Sequence, residues 1–358
     1  RYKFLHDRVQ QAAYSLIRPA HLKSTHLEVG RLWLRGASQA EVAHDLFEIV
    51  GHLNAAIDLI TDPAELYHLV ELNTLAARKA KDASAFGTAL QFMTTVLGRL
   101  PAGAFEENYR VALSCYLEAA EAELLNGRNA EAISLINVAE RYVVDVLDRC
   151  RLGELKVLVY RMMDNFNAAF ATGQSLLKLL GVSIERFPSE AQLHEELAAT
   201  SAAIGGRRME DLAALPPMTD PLPIAACRIL QEMWSVGFFL GSLSMHVSAM
   251  KIVQISAQHG NVVASVFGYM IYAFAQSFFF GDIEEGYQTG LVAMEQYDRL
   301  QCREIGAKVL DMWGGLIQHN KEPIRACRET LRRGFTIGME VGDYQWAGYC
   351  GTNHSFQS

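Results

Sequence analysis

The feature that most constrains this chain is the return of helix-stopping turns at a near-constant interval. Leu125-Asn126-Gly127-Arg128-Asn129, Met163-Asp164-Asn165, Leu240-Gly241-Ser242, Phe280-Gly281-Asp282 and Gln318-His319-Asn320-Lys321 each interrupt an apolar helical pattern. Gly and Asn take the left-handed conformation that ends a helix, and Asp, Asn or Ser caps the next one. Taken at 127, 164, 241, 281 and 320, the turns lie 37, 77, 40 and 39 residues apart, and 77 is close to two periods. A second set, His259-Gly260-Asn261 and Val341-Gly342-Asp343, falls between them, 82 residues apart at the glycines.

Between the turns, apolar residues recur at three- and four-residue steps. Ile133, Ile136, Ala139, Val143 and Val146 form one stripe in a helix expected over Asn129 to Leu147, and Phe86, Leu90, Met93 and Leu97 form another between Ser84 and Leu100. One amphipathic hairpin cannot bury both its faces, and stacking hairpins does. The pattern therefore predicts an all-α fold, a tetratricopeptide-like α-solenoid of helical hairpins repeating about every 40 residues and wound as a right-handed superhelix. Its period exceeds the ~34 residues of a strict tetratricopeptide repeat.

One stretch breaks the rhythm. Gly181 to Pro223 contains G-V-S-I-E-R-F-P, one helical pattern over Ser189 to Ala203, and a segment ending L-P-P-M-T-D-P-L-P, with five of the nine prolines between 188 and 223. The expectation is an interrupted repeat with a long loop at 182–223. It would separate a first lobe at 36–181 from a second at 224–358, and the loop would pack over the junction.

Composition excludes several functions. A net charge of -8 lacks the clustered base that nucleic acid requires, and Arg78-Lys79-Ala80-Lys81 and Arg207-Arg208 read as solvated faces or loops. Cysteines 115, 150, 227, 302, 327 and 350 show no C-x-x-C spacing and read as buried small hydrophobes in a reducing cytoplasm. No Asp, Glu, Lys or Arg occurs from Ile252 to Gly281. The polar residues Gln254, Gln258, His259, Ser265, Gln276 and Ser277 argue for a helix buried on most sides rather than a membrane span.

The chain has no G-x-x-x-x-G-K-[ST], no G-x-G-x-x-G after a strand, no G-x-S-x-G and no H-E-x-x-H. On paper, a His-Asp metal phosphohydrolase could draw on His21 or His26, His44-Asp45, and Asp58 or Asp62, with His6-Asp7 as a second pair. The spacing from His44-Asp45 to the later Asp is short for such a site, and helix capping and surface histidines explain these residues. His52-Leu53-Asn54 and Glu71-Leu72-Asn73 read as buried hydrogen-bond anchors. Phe238, Phe239, Phe267, Phe278, Phe279 and Phe280 read as core, although Phe278 to Phe280 cannot all face inward on one helix.

Several blocks in order, F-L-H-D-R-V-Q-Q-A-A-Y-S-L-I (4 to 17), H-L-K-S-T-H-L-E-V-G-R-L-W-L (21 to 34), F-E-I-V-G-H-L-N (47 to 54), E-L-N-T-L-A-A-R-K-A-K-D-A-S-A-F (71 to 86), L-L-G-V (179 to 182), Gly281-Asp282-Ile283-x-x-Gly286-Tyr287 and G-F-T-I-G-M-E-V-G-D-Y-Q-W-A-G-Y-C (334 to 350), resemble the helical region of bacterial multi-sensor signal transduction multi-kinases. The resemblance implies a parent with a serine/threonine-kinase-like domain, an AAA/STAND-type ATPase, this tetratricopeptide-like region, a GAF domain and a histidine kinase. It implies that residues 1–35 are the end of a winged-helix-like junction after the ATPase, with His6-Asp7 in a structural role. The absence of an initial Met and the end at N-H-S-F-Q-S suggest a piece of a longer chain.

The resulting expectation is a non-catalytic, cytoplasmic region that couples the ATPase switch to the output kinase and offers a protein-interaction surface. Its partners would be proteins, including the ATPase and kinase domains of its own parent, with no nucleic acid and no membrane span. No catalytic, cofactor-binding or metal residue is designated, and no cofactor is expected. The alternatives are a free-standing helical-repeat scaffold for a protein or peptide and, third, the His-Asp metal phosphohydrolase.

Overall fold

The computed structural model describes residues 14–357. His6-Asp7 and the opening Y-K-F, on which the winged-helix reading rests, lie outside the described residues. The described residues form nineteen α-helices joined by short turns, with no β-strand. The fold is all-α, a tetratricopeptide-like array of helical hairpins. It comprises two compact units, residues 1–142 and 143–358.

The first unit contains α1 (Leu22–Leu34), α2 (Gln39–His44), α3 (Leu46–Ala55), α4 (Pro63–Asp82), α5 (Phe86–Leu97), the single turn α6 (Ala104–Glu107), α7 (Tyr109–Leu125) and α8 (Asn129–Glu140). Helices α4 and α5 form one hairpin and α7 and α8 the next, with α7 packed on both members of the first. Local chemistry sets their ends. Asp62 accepts the Glu65 N–H in front of Pro63, and Asn108 accepts from Val111. The reversals occur at Ser84 (φ 57°) and Gly127 (φ 73°).

The period is written directly in the hydrogen bonds of this unit. Tyr67 Oη donates to Glu107, Arg78 Nε to Glu118, Lys81 Nζ to Glu121 and Asn126 Nδ2 to the Phe86 carbonyl, at 2.9, 2.8, 2.6 and 2.9 Å, and each pair is 40 residues apart. The Arg78-Lys81 basic spot is therefore a latch between hairpins, in which Arg78 keeps a solvated side chain (53% exposed) while Lys81 (13% exposed) is buried against Glu118. Glu118, only 4% exposed, holds both Arg78 and Lys81. Asn54 and Asn73 exchange reciprocal amide bonds of 2.8 and 3.0 Å between α3 and α4, as hydrogen-bond anchors should. Glu71 is instead exposed and faces His68.

The second unit contains α9 (Val146–Met162), α10 (Phe166–Leu179), α11 (Glu190–Ile204), α12 (Met209–Ala213), α13 (Pro221–Phe239), α14 (Ser244–His259), α15 (Val263–Phe279), α16 (Ile283–Leu300), α17 (Gly306–Met312), α18 (Ile324–Val341) and α19 (Tyr344–Phe356). The helix expected through Asn129 to Leu147 breaks after Glu140, and Val146 opens α9. Asp145 causes the restart, because its carboxylate caps the Leu147 and Asp148 N–H groups at 2.9 and 3.0 Å.

The first members of successive hairpins, α9, α13, α15, α17 and α19, pack one on the next. Helix α13 rests on both α9 and α10, so hairpin α13–α14 stacks directly on hairpin α9–α10. The 77-residue interval is thus one repeat plus an excursion, not two stacked repeats. The excursion is an outlying hairpin of its own. Its α11 turns at Gly205 and Gly206, both with positive φ, into the short α12. Helix α11 lies on α14 and α12 on α16.

A polar clamp holds the excursion down. Asn261 N–H donates to the Pro216 carbonyl (2.9 Å) and its own carbonyl accepts from Met218 N–H (2.7 Å). The Asn261 side chain donates to Leu212, Ala213 and Leu215 carbonyls and accepts from Tyr269 Oη at 2.7 Å. Gly260 is required beside it, at φ 96°, because a Cβ there would stand 2.3 Å from the Pro216 oxygen. Arg207 is no solvated residue: its guanidinium donates to the Ala203, Ile204 and Ala257 carbonyls. The proline-bearing segment therefore packs over the hairpins beneath it, with Met209, Leu212 and Met218 buried.

The long uncharged run becomes α15 at the centre of this unit, with Val266, Phe267, Tyr269, Met270 and Ile271 each at most 1% exposed. Among the described residues, no helix is long and apolar enough to cross a membrane. All six cysteines are buried and free.

Candidate functional site

The residues assembled on paper as a metal site are not brought together. His44 points to solvent with its side chain 84% exposed. Asp58 is taken by Lys23 and Arg99, and Asp62 caps α4. His26 Nδ1 lies 2.8 Å from His52 Nδ1 and His26 Nε2 lies 3.0 Å from Tyr14 Oη. Burial, then the neighbouring His26, lowers the proton affinity of His52. Among the described residues, no group of three or more His, Cys, Asp or Glu converges as metal ligands would.

What the fold does bring together lies where α13, α15, α17 and α19 meet. Trp234 of α13 and Trp346 of α19 pack with ring centroids 5.6 Å apart, and Phe267 of α15 stands edge-on to both at 5.5 and 6.1 Å. Three hairpins thus deliver one aromatic cluster. Beside it opens a cavity of about 230 Å³, with Phe238, Phe239, Met312, Leu316 and Tyr349 among its apolar walls and Asp311, Gln345 and Asn353 among its polar ones.

Backbone geometry shapes the α17 wall. Helix α17 continues into a π-helical turn at Trp313–Ile317, a distortion that often marks functional sites. Gly315 lets this turn approach α19, since a Cβ there would stand 2.9 Å from Asn353 Nδ2. Gln357 donates to the Gly314 carbonyl at 3.1 Å. Asn353 in turn donates to Asp311 Oδ1 at 3.0 Å. Asp311 is 4% exposed, and burial raises its pKa to about 6 against the hydrogen bonds from Asn353 and Cys350.

An ionic cluster borders the aromatic one. Glu232 of α13 lies 2.9 Å from Arg161 of α9 and 3.3 Å from Lys308 of α17. Burial alone would raise the Glu232 pKa, but the Lys308 and Arg161 charges overcome it and hold the group down at about 2. Glu154 of α9 and Arg228 of α13 pair at 3.0 Å. Burial raises the pKa of Asp343, the N-cap of α19, against the attraction of Lys308.

The six phenylalanines expected as one cluster divide into two. Phe267 is core, and Phe238 and Phe239 edge the cavity at 51% and 40% exposure. Phe278 is 70% exposed, Phe279 packs edge-on against buried His246 at 4.3 Å, and Phe280 meets His194. Sequence reasoning did not single out Trp234, Trp346, Glu232, Lys308 or Arg161. The available signal was a pair of charges, Arg228 and Glu232, four residues apart within an otherwise uncharged, largely apolar helix, as in C-R-I-L-Q-E-M-W.

No protein-family model matches the chain. The chain is 22% identical over 404 aligned residues to hybrid signal transduction histidine kinase G of Dictyostelium discoideum, across 99% of its own length. It spans only 12% of that protein. Among solved structures, it is similar to a signal transduction ATPase with numerous domains carrying a tetratricopeptide repeat sensor from Pyrococcus horikoshii, at 11% identity and a TM-score of 0.33, over 99% of this chain and 55% of the other. The chain is thus distantly similar to a signal-transduction kinase over its whole length.

Proposed function

We propose that this chain is a non-catalytic, cytoplasmic helical-repeat region of a large signal-transduction protein, carrying conformational change between a nucleotide-switched ATPase and an output kinase and offering a protein-interaction surface. The distant similarity to a hybrid histidine kinase supports a place within such a protein. The observation that carries the relay is the Arg161–Glu232–Lys308 cluster, which ties α9, α13 and α17 together. These helices come from the first, second and fourth hairpins of the stack. Shifting one changes the electrostatic environment of the others, so a displacement at one hairpin biases the hairpins stacked on it.

The test is hydrogen exchange across residues 143–357 in the parent protein, with ATP and with ADP. The relay predicts nucleotide-dependent protection in α9, α13 and α17. In a Glu232→Gln parent, it predicts loss of nucleotide control over the kinase with basal kinase activity retained. Exchange that does not respond to nucleotide would refute the relay.

A further inference from the structure

The hairpin tips of the second unit form an exposed apolar edge that the relay does not use. Stacked hairpins carry their tips on one edge. Phe238 and Phe239 stand at the α13–α14 tip and Phe278 and Phe279 at the α15–α16 tip, 51, 40, 70 and 39% exposed. Contacts between tips make the edge continuous. Phe239 stacks on Phe166, just past the α9–α10 tip, with centroids 4.7 Å apart. Phe279 meets His246, just past the α13–α14 tip. Phe187, 62% exposed, joins them because the Arg186 carbonyl accepts from Ser242 Oγ in that same tip. Lys321 and Glu284 pair across the last two tips. At roughly 200 Å² for a whole phenylalanine, Phe187 and the four at the tips leave about 500 Å² open. Met162, Met163 and Ile324 are 42, 45 and 50% exposed on the first and fourth tips. With these side chains of comparable size, the edge reaches about 800 Å². A monomer's largest apolar patch is ordinarily about 300–600 Å².

We infer that this edge is a homodimer interface, on which a second copy of the chain packs its own tips about a twofold axis. Area and charge together select the second copy. A stable dimer takes about 800 Å² from each partner, and the edge supplies that. Its centre, Phe238, Phe239, Phe278 and Phe279, carries no charge. A twofold axis sets the groups near it against their own copies, so an uncharged centre closes without like-charge repulsion. The rim argues against a membrane surface, which calls for free Lys and Arg around the apolar face. Asp164 and Asp282 sit in the turns themselves. Lys321 is paired with Glu284, and Arg186 lies over the Phe187 ring. The inference gives the proposed interaction surface a place and an occupant, and the relay does not depend on it.

The test is sedimentation equilibrium of this chain without nucleotide. Interfaces of this size have micromolar or tighter Kd, so at about 50 µM the chain should sediment at twice its 39.8 kDa. Phe278→Asp sets a carboxylate into the apolar centre and should weaken the dimer at least about tenfold. Its far-UV circular dichroism and unfolding temperature should not change, because the side chain lies largely in solvent. Phe187→Asp, outside the helices, is a second variant expected to weaken the dimer. Val144→Asp alters an exposed valine at the other end of α9 and should leave the dimer intact. A chain still monomeric at about 100 µM overturns the inference, and its flotation with phosphatidylcholine vesicles would assign the edge to a membrane instead. Association that runs past two copies also overturns it, as does a dimer untouched by both phenylalanine variants or one lost in Val144→Asp. A monomer would leave the relay standing, since nucleotide-dependent exchange tests that separately.

Discussion

The clamp at Asn261 gives the sharpest test of how the 182–220 excursion is held. Replacing Asn261 with Ala removes two short hydrogen bonds, to the Leu212 carbonyl (2.8 Å) and from Tyr269 Oη (2.7 Å), and two longer ones to Ala213 and Leu215. The backbone pairing with Pro216 and Met218 survives, and Ala213 keeps its bond from Arg299 at 2.6 Å. The Leu215 carbonyl loses its side-chain donor. At about 1 kcal/mol for each short bond, with part of a buried-group penalty added, the loss comes to about 3 kcal/mol. It falls on the excursion, because the stack beneath is closed by α13 on α9 and α10. Amide exchange at 209–218 should therefore accelerate roughly a hundredfold while α13 and α15 keep their protection. Asn261→Asp retains the acceptor for Tyr269 but turns a buried carboxylate oxygen onto the Leu212, Ala213 and Leu215 carbonyls, so at pH 7 it should loosen 209–218 at least as much as Ala. Protection at 209–218 within twofold of the parent chain would refute the clamp. An equal loss throughout the second unit would refute its independence from the stack.

Three further outcomes are expected. Asp311→Asn keeps the shape and the Asn353 contact but removes a buried charge. Because the folded pKa is raised from the ordinary 3.8 to about 6, Asp311 favours the fold fully below pH 3.8, and that contribution is lost as pH rises through 6. The variant should be up to about 3 kcal/mol more stable than the parent at pH 8 and no more stable at pH 4, as read by urea unfolding at each pH. Glu232 has the opposite sign, since its folded pKa is held down at about 2. Its contribution is present above the ordinary carboxylate range and lost as pH falls toward 2, so Glu232→Gln should cost about 3 kcal/mol at pH 7 and flatten the acid limb of the stability curve. Gly286→Ala should lower stability by about 1–3 kcal/mol in thermal unfolding, because its Cβ would stand 2.7 Å from the Ala273 carbonyl, and backbone cannot yield as a side chain can.

Much of the fold was legible in the sequence. The turns at 127, 164, 241, 281 and 342 and the restarts at Asp282 and Asp343 depend on chemistry within a few residues. A glycine or asparagine tolerates the reversal, and a side-chain oxygen caps the next helix. The block Gly281-Asp282-Ile283-x-x-Gly286-Tyr287 illustrates this. Gly281 turns, Asp282 caps, Gly286 admits α15, and Tyr287 Oη reaches Glu322 in the next repeat at 2.8 Å. The 40-residue period followed from the same local signals.

Tertiary structure decided the rest, because it depends on which distant residues meet. Helical periodicity predicted α11 but not that the array would bypass it. That choice lies in how α13 fits α9 and α10 and in the capture of Pro216 to Met218 by Asn261. Arg78 and Lys81 looked like solvated charge until Glu118 and Glu121 were placed 40 residues on. Glu232 is 71 residues from Arg161 and 76 from Lys308, and Trp234 is 112 from Trp346. Local propensity acts over about one helical turn and encodes no pairing at such separations. The candidate cavity exists only because stacking four hairpins brings those side chains to one place.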